Sequence, residues 1–274
     1  MKILAFDLDG TVINDSHQIV DKNIKAVELG RNLGFKMVPC TGRSPTFVKG
    51  IADELGISFK DEYLILCNGA LIVDALTNDV IMCCEIDYET VCKLFDYGID
   101  SGFDVQLSTI NNVYAFNKEM EISERAKVYG ERIEFLQNND IEFLRNEKII
   151  KVVYERTQLL NNHKKIEMNV KQITNNCVEV IISYEGIIEI AARNTSKASG
   201  LTFLANYLNI PIEDTIAVGD SVNDIEIVEI AGLGIAVKNA LSSVKEVADV
   251  VADRTNNEGV LEEIVNKYLI SSYL

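Results

Sequence analysis

The 274-residue chain has only 3 prolines and 16 glycines, too few for a fibrous repeat or a proline- and glycine-rich disordered chain. Basic residues are scarce too. Lys and Arg total 26 against 42 Asp and Glu, a formal charge of -16 that repels nucleic acid and anionic lipid, and no Lys/Arg block offsets it. No apolar stretch approaches membrane-spanning length, and the four apolar residues between Lys2 and Asp7 are not the long hydrophobic region of a secretory leader. The 6 cysteines include no C-x-x-C pair and read as reduced core residues, so a cytoplasmic address without membrane association is expected. No internal repeat or low-complexity tract stands out.

What is present is a globular composition, 47% hydrophobic and 25% charged, long enough for two domains. Ile3 to Phe6 is an unbroken apolar run that stops at an Asp and a Gly-containing turn, as a buried parallel strand does. Three other runs follow the same plan: Phe35 to Val38 leads into Cys40-Thr41-Gly42-Arg43, Tyr63 to Cys67 into Asn68-Gly69, and Thr215 to Val218 into Gly219-Asp220. An amphipathic helix with Ile24, Val27 and Leu33 on one side, stopped by Gly34, separates the first two. Beyond Val218 the alternation continues with a helix over Asp224 to Ala231, a strand over Gly234 to Val237, and helices over Ser243 to Ala248 and Glu258 to Tyr268. This predicts an α/β domain with a mainly parallel sheet.

The middle differs. Strands are predicted at Phe103 to Leu107, Val113 to Phe116, Ile149 to Tyr154 and Val178 to Ser183, separated by helices over Tyr88 to Tyr97, Glu119 to Tyr129 and Gln158 to Val170. That is an α+β insertion with a mainly antiparallel sheet and edges near 82 and 188. The division is therefore 1–81 with 189–274 for the first domain and 82–188 for the second.

Ligands of open parallel α/β sheets bind beyond the carboxyl ends of the strands, and the four runs end in Asp7, Thr41, Asn68 and Asp220. In Asp7-Leu8-Asp9-Gly10-Thr11 two carboxylates two residues apart leave one face of an extended chain. Magnesium takes a few oxygen ligands plus water and phosphate, which suits two or three Asp residues without His; a plain Asp-Gly turn accounts for the same pentapeptide. Gly219-Asp220-Ser221-Val222-Asn223-Asp224 also reads as a capped helix start with an acidic first turn, but a metal site shared with Asp7 and Asp9 explains in addition why the two segments are paired. Thr41-Gly42-Arg43 offers a hydroxyl and backbone N–H groups where a helix begins, an anion site. Lys197 lies near the N-terminus of a helix through Leu201, Leu204 and Leu208, where the macrodipole disfavours a cation. A bound phosphate would remove that conflict; a solvated side chain is the default for such a Lys.

Taken in order, Asp7-Leu8-Asp9-Gly10-Thr11, Thr41-Gly42-Arg43, Lys197 and Gly219-Asp220-Ser221-Val222-Asn223-Asp224 resemble the four signature motifs of the haloacid dehalogenase-like hydrolase superfamily. Asn68-Gly69-Ala70, the large insertion, and the tail through Asn239-Ala240, Ala248-Asp249 and Glu258-Gly259-Val260 are similar to its Cof-type subgroup. The resemblance implies a Rossmann-like core bearing an α+β cap that sets specificity, and a magnesium-dependent phosphatase acting on a small phosphorylated metabolite, sugar phosphates first. It implies Asp7 as the nucleophile that becomes an aspartyl phosphate, and Asp9 as acid and then base. Magnesium would be held by Asp7, the backbone carbonyl of Asp9 and Asp220, with Asp224 in support. The phosphoryl oxygens would be held by the Leu8 N–H, Thr41, the Gly42 N–H, Lys197 and Asn223. One departure is Ala191-Ala192-Arg193-Asn194-Thr195-Ser196, where many relatives carry Pro and Gly before the Lys.

Three alternatives remain in view. A phosphotransferase or phosphomutase would use the same Asp7 chemistry with a second acceptor. A serine hydrolase centred on Ser221 needs a His base, and the chain has only His17 and His163, neither downstream of Ser221. A phospho-accepting regulator would leave Asp9 and a substrate-enclosing insertion without a use.

Overall fold

Ile3, Leu4, Ala5 and Phe6 are all fully buried, so β1 (Lys2–Phe6) has no solvent face and belongs in the middle of a sheet covered on both sides. In a computed structural model, which describes residues 2–116, 133–136, 138–155, 163–182 and 187–270, it does so. It is flanked by β2 (Phe35–Pro39) on one side and β12 (Thr215–Gly219) on the other, with β13 (Leu233–Ala236) and β14 (Val250–Val251) beyond β12. All four pairings are parallel; Ala5 lies opposite Val38 and Ala217. Ile3, Ala5, Val38, Ala217 and Ala236 pack with Leu201 and Leu204 of a covering helix and with Ile227, Val228 and Val244. The chain leaves β1 outward through α1 (Asp21–Asn32) to β2, and returns later to β12 on the opposite side of β1. The strand order therefore reverses between β1 and β12, where such sheets leave a crevice for ligands.

Two local expectations change. β3 (Tyr63–Leu66) pairs antiparallel with β4 (Leu71–Asp74) in a three-stranded sheet completed by β5 (Val80–Cys83), and a lone parallel bridge, Cys40 to Ile65, joins it to the run after β2. The cause is the reversal after Leu66, where Cys67, Asn68 and Gly69 take left-handed φ values of 50°, 54° and 91°. Near the C-terminus, Gly259 is left-handed (φ 82°), so the helix predicted from Glu258 starts at Val260 and runs through Ile264 into a π turn over Val265–Leu269.

Clustering of contacts separates a first unit (1–42, 51–82 and 196–274) from a second (43–50 and 83–195). The second holds the sheet β10-β11-β9-β6-β7-β8, formed by β6 (Asp104–Thr109), β7 (Val113–Phe116), β8 (Ile133–Leu136), β9 (Ile149–Glu155), β10 (Val178–Ile182) and β11 (Ile188–Ala192). Its pairings are antiparallel except β7 with β8. One face, with Val105, Leu107, Phe116, Val152 and Tyr154, buries Leu94 and Phe95 of α3 (Tyr88–Asp100) and Ile166 and Val170 of α4 (His163–Ile173). Gln106, Ser108, Lys151 and Glu189 alternate with that apolar set, and Lys151 pairs with Glu189 at 3.2 Å. β11 belongs to this sheet although it starts at 188, the edge expected for the insertion. The helix predicted over 119–129 lies outside the described residues. Among the described residues no helix is long and apolar enough to cross a membrane.

Candidate active site

Asp7 is the first residue past β1 and Asp220 the first past β12, so the adjacent parallel strands deliver both carboxylates to the crevice end of the sheet. The Asp7 N–H donates to the Val218 carbonyl at 3.0 Å, which extends the ladder by one rung and fixes Asp7 beside Gly219. The chain then coils: the Leu8 carbonyl accepts from the N–H groups of Val12 (3.0 Å) and Ile13 (2.8 Å). Gly10 sits at φ 77°, and a Cβ there would come within 2.5 Å of Asp220 Oδ2, so a side chain at this position is strained and displaces the Asp220 carboxylate. The Thr11 hydroxyl donates to Asp220 Oδ1 at 2.7 Å.

Lys197 is the first residue of α5 (Lys197–Tyr207), behind a Ser196 cap whose hydroxyl accepts from the Ser199 N–H. Its side chain is 1% exposed, not solvated, and its ammonium lies 2.7 Å from both Asp7 Oδ1 and Asp224 Oδ1. Two carboxylates thus offset the unfavourable helix end. Burial disfavours the Lys197 charge, but Asp224 and Asp7 outweigh it and raise the pKa. Asp224 also accepts from the backbone N–H groups of Asp220 (3.1 Å) and Ser221 (3.0 Å), closing the turn that holds Asp220 in place.

Ligand oxygens of Asp7, Asp220 and Asp224 all lie within 4.8 Å of one another. Burial raises Asp7 well above the ordinary carboxyl range; Lys197 opposes this, while Asp224, Asp220 and Asp9 add to it. Burial, then the charge of Asp224, pushes Asp220 up to about 7. Three carboxylates crowded around one ammonium carry excess negative charge, and an all-oxygen donor set is what a hard divalent cation takes. The residues fit such an ion.

Of the other candidate residues, Leu8 is fully buried, Asp9 and Gly42 are half-buried, and Thr41 is 1% exposed, its N–H donating to Ile65 at 2.9 Å. No helix begins at Thr41-Gly42-Arg43. A short turn over Pro45–Phe47 follows, and α2 starts only at Lys49 (Lys49–Glu54), because Pro45 favours a turn and constrains Ser44 to extended backbone. The Asn223 amide donates to Asn68 Oδ1 at 2.9 Å. Asn68 was named at one of the four strand ends but given no role in the site; its left-handed backbone and 1% exposure bring it to Asn223, and the Asn-Gly pair at a strand end was the signal. Thr11 was part of a motif without a role, and the structure gives it Asp220.

A parallel sheet with carboxylates gathered at its switch point and a Lys buried beside them is an arrangement that can hold a divalent cation and an anionic group together. Residues 4–264 match the model of the haloacid dehalogenase-like hydrolases, and the chain belongs to that family. It is 29% identical over 280 residues to phosphatase YwpJ of Bacillus subtilis, covering 95% of this chain and 97% of the relative. It is 28% identical over 264 residues to 5-amino-6-(5-phospho-D-ribitylamino)uracil phosphatase YcsE of the same organism, covering 96% and 94%. The fold matches that of the subclass IIB sugar phosphatase BT4131 with a TM-score of 0.82 at 23% identity, over 98% of this chain and 99% of the other.

Proposed function

We propose that the chain is a magnesium-dependent phosphatase that hydrolyses a small phosphorylated metabolite, a sugar phosphate or a similar polyol phosphate, through an aspartyl phosphate on Asp7. The observation that carries this reading is the buried set of Asp7, Lys197 and Asp224 with half-buried Asp220 beside it, Asp7 and Asp220 standing on neighbouring strand ends. Full-length similarity to two phosphatases, one acting on a phosphoribityl compound, supports the reaction class, and the charge of -16 supports a small substrate over nucleic acid. Substrate choice we assign to the second unit, whose sheet carries Gln106, Lys151 and Glu189 on its polar side.

In the first step an Asp7 carboxylate oxygen attacks phosphorus, forming the acyl phosphate bond as the ester P–O bond breaks, and Asp9 gives its proton to the departing oxygen. In the second, Asp9 takes a proton from water as that water attacks phosphorus, which frees Asp7 and releases inorganic phosphate. Lys197, the Thr41 hydroxyl, the Leu8 and Gly42 N–H groups and the Asn223 amide oppose the charge on the phosphoryl oxygens in both steps. Magnesium, held by Asp7, the Asp9 carbonyl and Asp220 with Asp224 in support, would supply further neutralisation of that charge. Asp7→Asn removes the nucleophile while keeping its volume. Release of phosphate from p-nitrophenyl phosphate in magnesium should fall by at least about 10³-fold, and a rate near wild type would refute the assignment.

A further inference from the structure

The turn over residues 237–241, after β13, touches both loops that carry the acidic residues. The Val237 N–H donates to the Gly219 carbonyl (3.1 Å) and the Leu241 N–H to the Asp220 carbonyl (2.9 Å), so two backbone hydrogen bonds fix the turn to the Asp220 loop. One side chain crosses from it to the other loop: Asn239 Nδ2 donates to the Gly10 carbonyl at 2.8 Å. The opposite end of the same carboxamide is also engaged, since Asn239 Oδ1 accepts from the Asn256 N–H at 3.0 Å. Asn256 in turn donates to the Ile13 carbonyl (3.2 Å) and to Asp15 Oδ1 (2.9 Å), holding the far side of the same loop. Asn239 itself is exposed, so it contributes little core packing, yet both ends of its amide are committed.

Gly10 immediately follows Asp9, and its left-handed backbone is the bend on which Asp9 turns. A hydrogen bond to the Gly10 carbonyl fixes the plane of the Gly10–Thr11 peptide, the far side of the bend that begins at Asp9. We infer that Asn239 is a positioning residue for the proton transfer: it locks the Asp9-Gly10 bend against the Asp220 loop and so sets where the Asp9 carboxyl stands relative to the departing oxygen. The inference rests on the assignment of Asp9 as the acid.

The bland alternative is a loop brace whose loss lowers stability and slows every substrate alike. Asn239→Asp separates the two. It keeps size and the acceptor for the Asn256 N–H but turns an oxygen toward the Gly10 carbonyl, so the bond is lost and replaced by repulsion. Two probes report the protonation step: p-nitrophenyl phosphate, whose leaving group departs readily as an anion, and phenyl phosphate, whose phenol has an ordinary pKa of about 10 and needs the acid. With Asn239→Asp, the ratio of kcat/KM for p-nitrophenyl phosphate to that for phenyl phosphate should rise about tenfold, part of the 10²–10⁴ that a positioned acid contributes, while Tm stays near wild type. Asp9→Asn should raise the same ratio further. If Asp9→Asn leaves the ratio unchanged, the acid assignment fails. If Asp9→Asn raises it and Asn239→Asp does not, or if Asn239→Asp slows both substrates equally or slows them in step with a fall in Tm, the positioning role of Asn239 is overturned.

Discussion

Replacing Lys197 by Met keeps the volume and apolar stem of the side chain and deletes the charge. The wild-type ammonium is 1% exposed and pairs at 2.7 Å with both Asp7 and Asp224. Removing one partner of a buried ion pair costs about 3–5 kcal/mol, because the remaining charge stays buried and uncompensated. Here two carboxylates lose their partner and a third, Asp220, stands within 4.8 Å, which places the metal-free variant near the top of that range. The carboxylates have one escape, protonation. Burial already raises Asp7 against the pull of Lys197, and without the ammonium that rise is unopposed. A carboxyl whose folded pKa exceeds its unfolded value stabilises the fold below the unfolded pKa and loses that contribution as pH rises through the folded one. The deficit of Lys197→Met should therefore be small near about pH 5 and grow toward pH 8 by roughly 1.4 kcal/mol per pH unit for each proton retained. Urea unfolding of wild type and variant in EDTA across that range measures it, and magnesium should recover part of the loss at high pH. A deficit below about 1 kcal/mol at pH 8, or one that does not change with pH, would mean that this ammonium does not favour the charged form of the carboxylates beside it, and the electrostatic account of the site would fall.

Wild type should show the same linkage more gently. Asp220, lifted by burial to about 7 from an ordinary 3.8, contributes stability that fades as pH rises through 7, at most roughly 4 kcal/mol. A divalent cation competes with that proton, so the gain in Tm on adding saturating magnesium should increase between about pH 5.5 and 8, and a gain independent of pH would exclude Asp220 from the metal site. Gly69→Ala places a Cβ against the Ser196 carbonyl oxygen at a φ of 91°, so backbone must move and Lys197, next in sequence, moves with it. Unfolding stability should drop by roughly 2–4 kcal/mol, whereas Gly50→Ala, where a Cβ would meet nothing within 4 Å, should be neutral or slightly stabilising. Equal effects at the two glycines would contradict the reading of Gly69 as a close-approach site.

The acidic half of the site was legible because it is made of local features. A run of four apolar residues that ends in Asp is a buried strand delivering its next residue to the sheet end, and Asp7 and Asp220 each follow one. From local chemistry Lys197 read as an awkward cation at a helix start, and the resemblance implied a phosphate-binding role for it; its pairing with Asp7 and Asp224 depends on segments 190 and 27 residues away. Asn68 was legible as a strand end but not as a contact, for a different reason. Left-handed φ at three successive residues has no one-letter signature beyond the Asn-Gly pair, and the consequence, contact with Asn223, needs the partner in place. β3 read as a further parallel strand because its composition is that of one, yet pairing direction is chosen by where the chain goes next.

By itself the sequence determined the α/β alternation, the antiparallel texture of the middle, the ends of the central strands and the carboxylates placed there, all set by periodicity and by turn residues within a few positions. Only the tertiary structure decided which charges neutralise one another, which glycines face a carboxylate or a carbonyl, and that the turn over 237–241 joins the loops that follow β1 and β12. Those are properties of distance in space, and Coulomb attraction, steric exclusion and hydrogen bonding act on that distance whatever the separation along the chain.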